Sequence, residues 1–183
     1  MRRHLVCVSA VLAAALTGCG IGTTGPAPAG PPASGLREPG SVAAYAQLYF
    51  VSPFGVQAVA RRVPSPAGPQ QALDLLLAGP DAAERARGLI TEVPAMPGHP
   101  TATAESGAVD LYLPVPVAKM NSGGLGVTQL ICTAANADVP GGKQPPAVDV
   151  RVHEAGTPGI WTVRCNAAGN VLPVPNPTVH AGR

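Results

Sequence analysis

The fold is best predicted from the segment Gly124-Leu-Gly-Val-Thr-Gln-Leu-Ile-Cys-Thr-Ala-Ala-Asn136, because the predicted strands on either side of it must pack against it. Its apolar residues recur at i, i+3, i+4 and i+7, which predicts an amphipathic helix. These residues are Val127, Leu130, Ile131 and Ala134. A helix with one apolar stripe must bury that stripe against another element, and the neighbouring segments supply strands for this purpose.

Two strands are predicted after this helix. Residues 147–153 alternate valine with polar side chains, and residues 160–165 show the same alternation. The turn sequence Glu-Ala-Gly-Thr-Pro-Gly joins them into a hairpin. If Trp161 faces the core, Cys165 faces it too, toward the flank of the helix that carries Cys132.

Similar patterns occur before the helix. Residues 45–51 and 56–63 are predicted to be paired strands, and residues 102–105 and 108–113 a second hairpin. Between the two hairpins, residues 69–78 place leucines at helical spacing behind an initial proline.

A second, shorter helix is predicted just after residues 69–78. Its start is indicated by Asp81-Ala-Ala-Glu84, which resembles a capping box. The main elements therefore follow the order β-β-α-β-β-α-β-β. This order predicts an α+β fold, a two-layer sandwich in which a mainly antiparallel or mixed sheet carries two helices on one face.

The composition indicates a modest globular domain with irregular tails. Gly and Pro contribute 22 residues each to a chain of 183, close to the level at which low-complexity segments occur. Hydrophobic residues nevertheless make up 46% of the chain, too many for a wholly disordered protein. The formal net charge of +2 excludes a strong electrostatic attraction to nucleic acid.

The N-terminal segment has the features of a secretory signal peptide: basic residues, an apolar stretch over residues 5–16, and then small residues. Leu16-Thr-Gly-Cys19 resembles a bacterial lipobox. This resemblance implies cleavage before Cys19 and attachment of a lipid to its sulfur, with palmitate among the acyl chains. Such a lipid would anchor the chain on the extracytoplasmic face of the cell membrane. The alternative is an ordinary secreted protein in which this cysteine occurs by chance.

Cleavage would also remove Arg2 and Arg3, leaving ten of the 12 basic residues against ten acidic ones and a neutral mature chain. The tether after the cleavage site is rich in Gly, Pro and Ala and would reach about 25 Å as a flexible coil. The predicted segments are a signal peptide at 1–18, a lipidated tether at 19–44, a folded domain at 45–172 and a Pro-rich tail at 173–183.

Cysteine usage predicts one disulfide. Cys7 would leave with the signal peptide, and Cys19 would carry the lipid. Cys132 and Cys165 would then form the only possible intramolecular pair, in an oxidising compartment. A redox-active pair is the alternative, although the two residues are far apart and no Cys-x-x-Cys is present.

Seven short segments, taken in order, resemble the GerMN domain, the sporulation and spore-germination domain that is common in bacterial lipoproteins. They are Leu48-Tyr-Phe-Val51, Val59-Ala-Arg-Arg-Val63, Ala72-Leu-Asp-Leu-Leu-Leu-Ala-Gly-Pro80, Gly88-Leu-Ile-Thr-Glu-Val-Pro94, Ala108-Val-Asp-Leu111, Thr128-Gln-Leu-Ile-Cys-Thr133 and Val148-Asp-Val-Arg-Val152. The resemblance implies a two-layer fold like the ring-building motifs of secretion machineries, and a non-enzymatic, envelope-associated module. It carries over no catalytic residue.

The sequence contains no hydrolase, metalloprotease, phosphate-loop or EF-hand motif, so no catalytic, cofactor-binding or metal-binding residue is predicted. His99, His153 and His180 are predicted to be solvated side chains. The glycines from Gly123 to Gly126 are interpreted as a flexible helix entry rather than an anion site.

Arg61-Arg62 is the densest positive charge of the mature chain. Strand alternation sends one of these arginines outward and the other to the opposite face. The simpler interpretation is that they keep a strand edge soluble. The alternative is an arginine anchor in a protein interface, joined by exposed aromatics such as Tyr45 or Tyr112.

The leading hypothesis is a lipid-anchored, non-catalytic interaction or assembly module that binds other envelope proteins or associates with itself. The alternatives are a solute- or glycan-binding lipoprotein and, third, an envelope hydrolase with an unrecognised site. An exposed sheet edge would favour the interaction module. An apolar pocket with converging polar groups would favour solute binding, and a Ser or Asp beside His99 or His153 would favour an enzyme.

Overall fold

The computed structural model describes residues 43–120 and 124–175. Within these ranges the chain forms seven strands and three α-helices, and all but the last strand follow the predicted order. The strands are β1 (Ala44–Ser52), β2 (Gly55–Val63), β3 (Thr101–Glu105), β4 (Ala108–Leu113), β5 (Asp149–Glu154), β6 (Ile160–Cys165) and β7 (Val171–Pro173). The helices are α1 (Pro69–Leu77), α2 (Ala82–Ala86) and α3 (Leu125–Ala135), and a 3₁₀ turn covers Val117–Lys119.

The helix starts follow from local chemistry. Pro69 occupies the first turn of α1, where its missing N–H costs no helical hydrogen bond. The predicted capping box at α2 is confirmed: the Asp81 carboxylate accepts from the Glu84 N–H at 2.8 Å, and the Glu84 carboxylate accepts from the Asp81 N–H at 2.7 Å. Gly124 caps α3 with φ of 88°, a left-handed conformation that favours glycine, which confirms the helix-entry interpretation.

The strands form two separate sheets. β1 and β2 make a two-stranded antiparallel hairpin, and the other five strands form one sheet in the order β3-β4-β5-β6-β7. Every pair in the larger sheet is antiparallel except β4 with β5. That pair is parallel because the chain crosses over through α3 between the two strands.

The core lies between the inner face of the five-stranded sheet and the two long helices. α1 and α3 pack against each other, and α3 contacts both sheets. The innermost side chains are fully buried aliphatic residues from all three elements: Leu73, Leu76, Val109, Leu111, Leu130, Ile131, Val150 and Val152. The structure is therefore the predicted α+β two-layer sandwich with a mixed sheet and two helices on one face.

The structure adds two details to the prediction. The hairpin β1–β2 does not join the larger sheet, because helical side chains and a short bridge occupy the free edge of β1, as described below. The sequence analysis also missed β7, a short strand that pairs with β6 and ends at Pro173. The next residue, Val174, still donates to the Thr162 carbonyl at 2.9 Å, so the ladder continues into the segment predicted as a tail.

Candidate functional site

The predicted disulfide between Cys132 and Cys165 is present, with the two Cα atoms 5.1 Å apart. Both cysteines are buried in the core. Cys132 belongs to α3 and Cys165 ends β6, so the bond attaches the central helix to the larger sheet. Its burial fits a structural link rather than an exposed redox pair.

The predicted lipidation site, Cys19, lies outside the described residues, as do Cys7, Gly123 and His180. Among the residues that the structure describes, no helix has the length and apolar character needed to cross a membrane. The same residues contain no group of three or more His, Cys, Asp and Glu side chains placed to hold a metal ion.

The edge of β1 that faces away from β2 is closed by side chains of α3. The Tyr49 N–H donates to the Thr133 hydroxyl at 3.1 Å, and the Gln129 amide nitrogen donates to the Tyr49 carbonyl at 2.8 Å. Val51 completes this edge by exchanging two backbone hydrogen bonds of 2.9 Å with Ile90. Thr133 and Gln129 are fully buried polar residues, so each is held in place by the backbone group that it satisfies.

The opposite edge of the hairpin, on β2, is open. Tyr49 and Val51 direct their backbone groups away from β2, so the residues opposite them in the register direct theirs away from β1. By this alternation, Ala58, Ala60 and Arg62 present their backbone N–H and C=O groups outward, and all three residues are exposed. No strand within the described ranges pairs with this side of β2. We call the backbone groups of Ala58, Ala60 and Arg62 the open edge.

Arg61 does not belong to the open edge, because its backbone groups face β1, where it pairs with Ala46. Its side chain points to the face of the hairpin opposite that of Arg62. Its guanidinium forms an ion pair with Glu84 and donates to the Leu75 carbonyl at 3.2 Å and the Gly79 carbonyl at 3.1 Å. It also lies 5.7 Å from the centre of the Phe50 ring. Arg61 therefore attaches the hairpin to the helices and is not an exposed edge charge, whereas the exposed Arg62 on the open edge fits the strand-edge interpretation.

Other strand edges in the described part of the chain are protected. At β3, the Ala102 N–H donates to the Gln70 side-chain oxygen of α1 at 2.8 Å. At the far side of the larger sheet, β7 is three residues long and contains Pro173. Short strands, proline, charged side chains and covering groups all prevent further strand pairing, and of these features the open edge of β2 has only the charge of Arg62.

The face of the five-stranded sheet that points away from the helices carries a polar network, which we call the outer face. The Asp110 carboxylate contacts the His153 imidazole at 2.8 Å and forms an ion pair with Arg151, which also binds Glu105. The Tyr112 ring stacks on His153 with ring centres 4.3 Å apart. The prediction that His153 is a simple solvated side chain is therefore wrong.

Burial alone would raise the pKa of Asp110, but hydrogen bonds from His153 and Arg151 outweigh burial and lower it. The carboxylate is thus kept charged by its neighbours. This arrangement also meets the condition that an Asp lies beside His153. It does not complete a nucleophilic triad, because no Ser, Thr or Cys hydroxyl or thiol in the described ranges is hydrogen-bonded to that imidazole.

The remaining surface features include clefts and two exposed aromatics, Phe54 and Tyr45, the second of which was predicted to be exposed. An apolar cleft of about 340 Å³ lies where β2 ends beside α1, lined by Val63, Pro64, Ala67 and Leu75 with Gln71 and Asp74. His99 is exposed, as predicted, in the loop that lines a second cleft. At the turn of the first hairpin, Phe54 is completely exposed.

Comparison of the chain with protein-family models, with curated proteins and with solved structures gives no match.

Several of these features were not foreseen in the sequence analysis. Gln129 stands among apolar residues of a predicted buried helix, which is a signal that a backbone group elsewhere needs a partner. Asp110, Arg151 and His153 all occupy outward positions of alternating strands, and their opposite charges could have suggested pairing. The open edge depends on which strands pair, and local patterns do not determine that.

Proposed function

We propose that this protein is a lipid-anchored, extracytoplasmic envelope protein that acts as a non-catalytic interaction module. The lipobox ending at Cys19 supports the anchor, because its four residues follow a signal-like segment at the usual distance. The resemblance to the GerMN domain supports the same class of function, since that domain is common in bacterial lipoproteins. The tether would hold the folded domain off the bilayer within reach of other proteins.

The observation that carries the interaction role is the open edge of β2. Strand addition to an exposed edge is a recurring way for domains to recognise extended peptides or other sheets, with the backbone hydrogen bonds supplying affinity. β2 is nine residues long and follows β1 in unbroken register, so its outward groups form a regular ladder. The outer face adds Tyr112 and Arg151, residue types that are enriched at protein interfaces.

The anchor is tested by expressing the full chain and its Cys19→Ala variant and separating detergent and aqueous phases. We expect the unmodified chain in the detergent phase, with the mass of a lipid on its N-terminal cysteine, and the variant without that lipid. An aqueous, lipid-free unmodified chain contradicts the anchor.

The interaction role is tested by cross-linking in membranes followed by purification of the tagged chain. We expect a cross-linked protein whose recovery falls at least tenfold in Ala60→Pro, because proline removes one outward N–H without touching the bonds to β1. The matched control is Ala60→Val, which keeps the N–H. Recovery of a bound small molecule and no protein contradicts this role.

A second candidate function, solute binding, is favoured by the apolar cleft beside α1. Its volume lies at the lower end of the range for ligand pockets, and Gln71 and Asp74 provide polar groups at its rim. Native mass spectrometry of the purified protein would show a bound mass that Ser65→Trp displaces, because Ser65 also lines the cleft and the larger side chain would fill it. An unchanged spectrum in that variant, or no bound mass, excludes this candidate.

A further inference from the structure

Resting on the proposed function, we infer that the open edge binds a second copy of this chain. In this complex, β2 pairs antiparallel with β2 of the second copy, and Ala60 lies opposite Ala60 of that copy. The two hairpins then form one continuous four-stranded sheet about a twofold axis. An interface of this kind uses the same surface on both partners.

First, β2 lacks most of the features that normally prevent such pairing, and its one protective feature is the exposed charge of Arg62 near the end of the strand. It contains no proline and no lysine, and its one-to-one register with β1 leaves no bulge. The outward positions Ala58 and Ala60 carry only methyl groups, so a neighbouring strand meets no bulky side chain. An edge that is long, regular and small in its side chains is a template for another strand.

The second step concerns the occupant. The segments outside the described residues that would remain after the proposed cleavage are poor ladder partners, because prolines interrupt them at positions 26, 28, 31, 32 and 39 and again at 177. No stretch of 20–42 that is free of proline exceeds six residues. β2 of a second copy offers nine. A lipid anchor would also confine copies to one surface and raise their effective concentration.

The third step fixes the register. A symmetric antiparallel pair of β2 strands can be centred on any residue from Val56 to Arg62, because the twofold axis can pass through a hydrogen-bonded pair at an even position or through a non-hydrogen-bonded pair at an odd position. Centres from Val56 to Val59 place a β2 residue of the second copy opposite Val56, against the loop at Gly169, which already approaches the Val56 carbonyl. Centres at Arg61 and Arg62 place Pro64, which has no N–H, opposite Ala58 and Ala60 respectively. The remaining centre is Ala60.

This register is also electrostatically acceptable. Arg62 lies opposite Ala58 of the second copy, so the two Arg62 side chains are about 14 Å apart along the strands. That distance exceeds the Debye length at physiological salt. Arg61 is already neutralised by Glu84 on the other face. The ladder contains three hydrogen-bonded pairs, which is about six hydrogen bonds across the new junction.

The test uses single cysteines in the full chain, in native membranes under mild oxidation. In the inferred register the Cα atoms of residue 60 in the two copies are about 5.5 Å apart, within disulfide range. Ala60→Cys should therefore give a covalent dimer on a non-reducing gel. Ala58→Cys is the matched control, because it faces Arg62 and not its own equivalent, and it should give at least tenfold less dimer. Co-expression of Ala58→Cys with Arg62→Cys should restore cross-linking.

Equal cross-linking at positions 58 and 60, or none at either position with none in the mixed pair, overturns the inference. If none of the cysteine variants forms a covalent dimer while the Ala60-dependent capture of another protein succeeds, the proposed function stands and binding of a second copy is excluded. If the chain carries no lipid and captures no protein, the proposed function itself fails. The Ala60→Val variant should keep the wild-type amount of chemically cross-linked dimer, whereas Ala60→Pro should lose it.

Discussion

The hairpin β1–β2 and the five-stranded sheet each have one edge closed by a glutamine from a neighbouring helix, but the two glutamines differ in depth. Gln129 is fully buried and satisfies both the Tyr49 carbonyl and the Glu92 N–H, the latter at 2.7 Å. The Gln70 side-chain oxygen accepts from the Ala102 N–H, and its amide nitrogen donates to the carboxylate of the exposed Asp74. An isolated two-stranded hairpin is only marginally stable in water, whereas a five-stranded sheet with one face covered by helices is stable without further support. The hairpin therefore depends on its helix far more than the larger sheet does.

The comparison is tested most strongly by replacing each glutamine with leucine, which keeps the approximate volume. Gln129→Leu leaves two buried backbone groups without partners, and we expect the free energy of unfolding to fall by about 4 kcal/mol. Gln70→Leu should cost about 1 kcal/mol, because water can reach that edge. Denaturant titrations of both variants check this. Equal losses would show that burial does not distinguish the two edges.

Removal of the disulfide probes the attachment of α3 to the larger sheet. The bond closes a loop with a sequence separation of 33, and its loss should lower the free energy of unfolding by about 3–4 kcal/mol. Urea titrations of the wild type with and without reductant measure this. The Cys132→Ala/Cys165→Ala variant provides the control, because reductant should leave its unfolding midpoint unchanged.

The hairpin is attached to α2 as well as to α3, through the ion pair between Arg61 and Glu84, and substitution of Arg61 tests this contact. Its partner Glu84 has a side chain that is only 4% exposed, so Arg61→Met should leave a buried carboxylate unpaired. We expect the free energy of unfolding to fall by about 2–3 kcal/mol. This is less than for a fully buried ion pair, because Arg61 retains some contact with water. The double variant Arg61→Met/Glu84→Gln should recover about half of this lost free energy of unfolding. Arg62→Met, at the exposed neighbouring position, should change the free energy of unfolding by less than about 0.5 kcal/mol.

The smallest effect belongs to the outer face of the larger sheet, and it depends on pH. Because the pKa of Asp110 is lowered in the folded protein, its stabilising contribution is present above the unfolded pKa of about 3.9 and is lost as pH falls through the folded pKa. Asp110→Asn should remove that contribution, less than about 1 kcal/mol for such partly solvated pairs.

Unfolding midpoints of the wild type and Asp110→Asn measured from pH 7 to pH 2 check this prediction. The two curves should differ at neutral pH and converge below pH 4, and 1 M salt should narrow the difference at neutral pH. Curves that stay parallel down to pH 2 would argue against it. Neither strand of the hairpin contains an acidic residue, so this contribution belongs to the larger sheet.

Local patterns were sufficient for much of the fold. The helical spacing of Leu130 and Ile131 and the alternation around Val150 predicted the elements, because each pattern reflects which side of one element is buried. The disulfide followed from counting cysteines and from the facing of Cys132 and Cys165.

The contacts between elements were not predictable in the same way. Whether β1 meets another strand or a helix depends on residues 80 or more positions away, such as Gln129 and Thr133. The contact between Asp110 and His153 similarly requires the parallel register of β4 and β5, which sets Tyr112 opposite His153. Neither alternation nor composition contains that information.

The closed edge of β1 has a mechanical consequence. The chain enters the folded part at the start of β1, at the end of the hairpin opposite the Phe54 turn. A force applied there and directed along β1 would load the bonds to β2, to α3 and to Ile90 in shear, so that they would have to break together. The disulfide then passes the load from α3 into β6. Under such a force, β1 would resist in shear instead of unzipping from β2 one bond at a time.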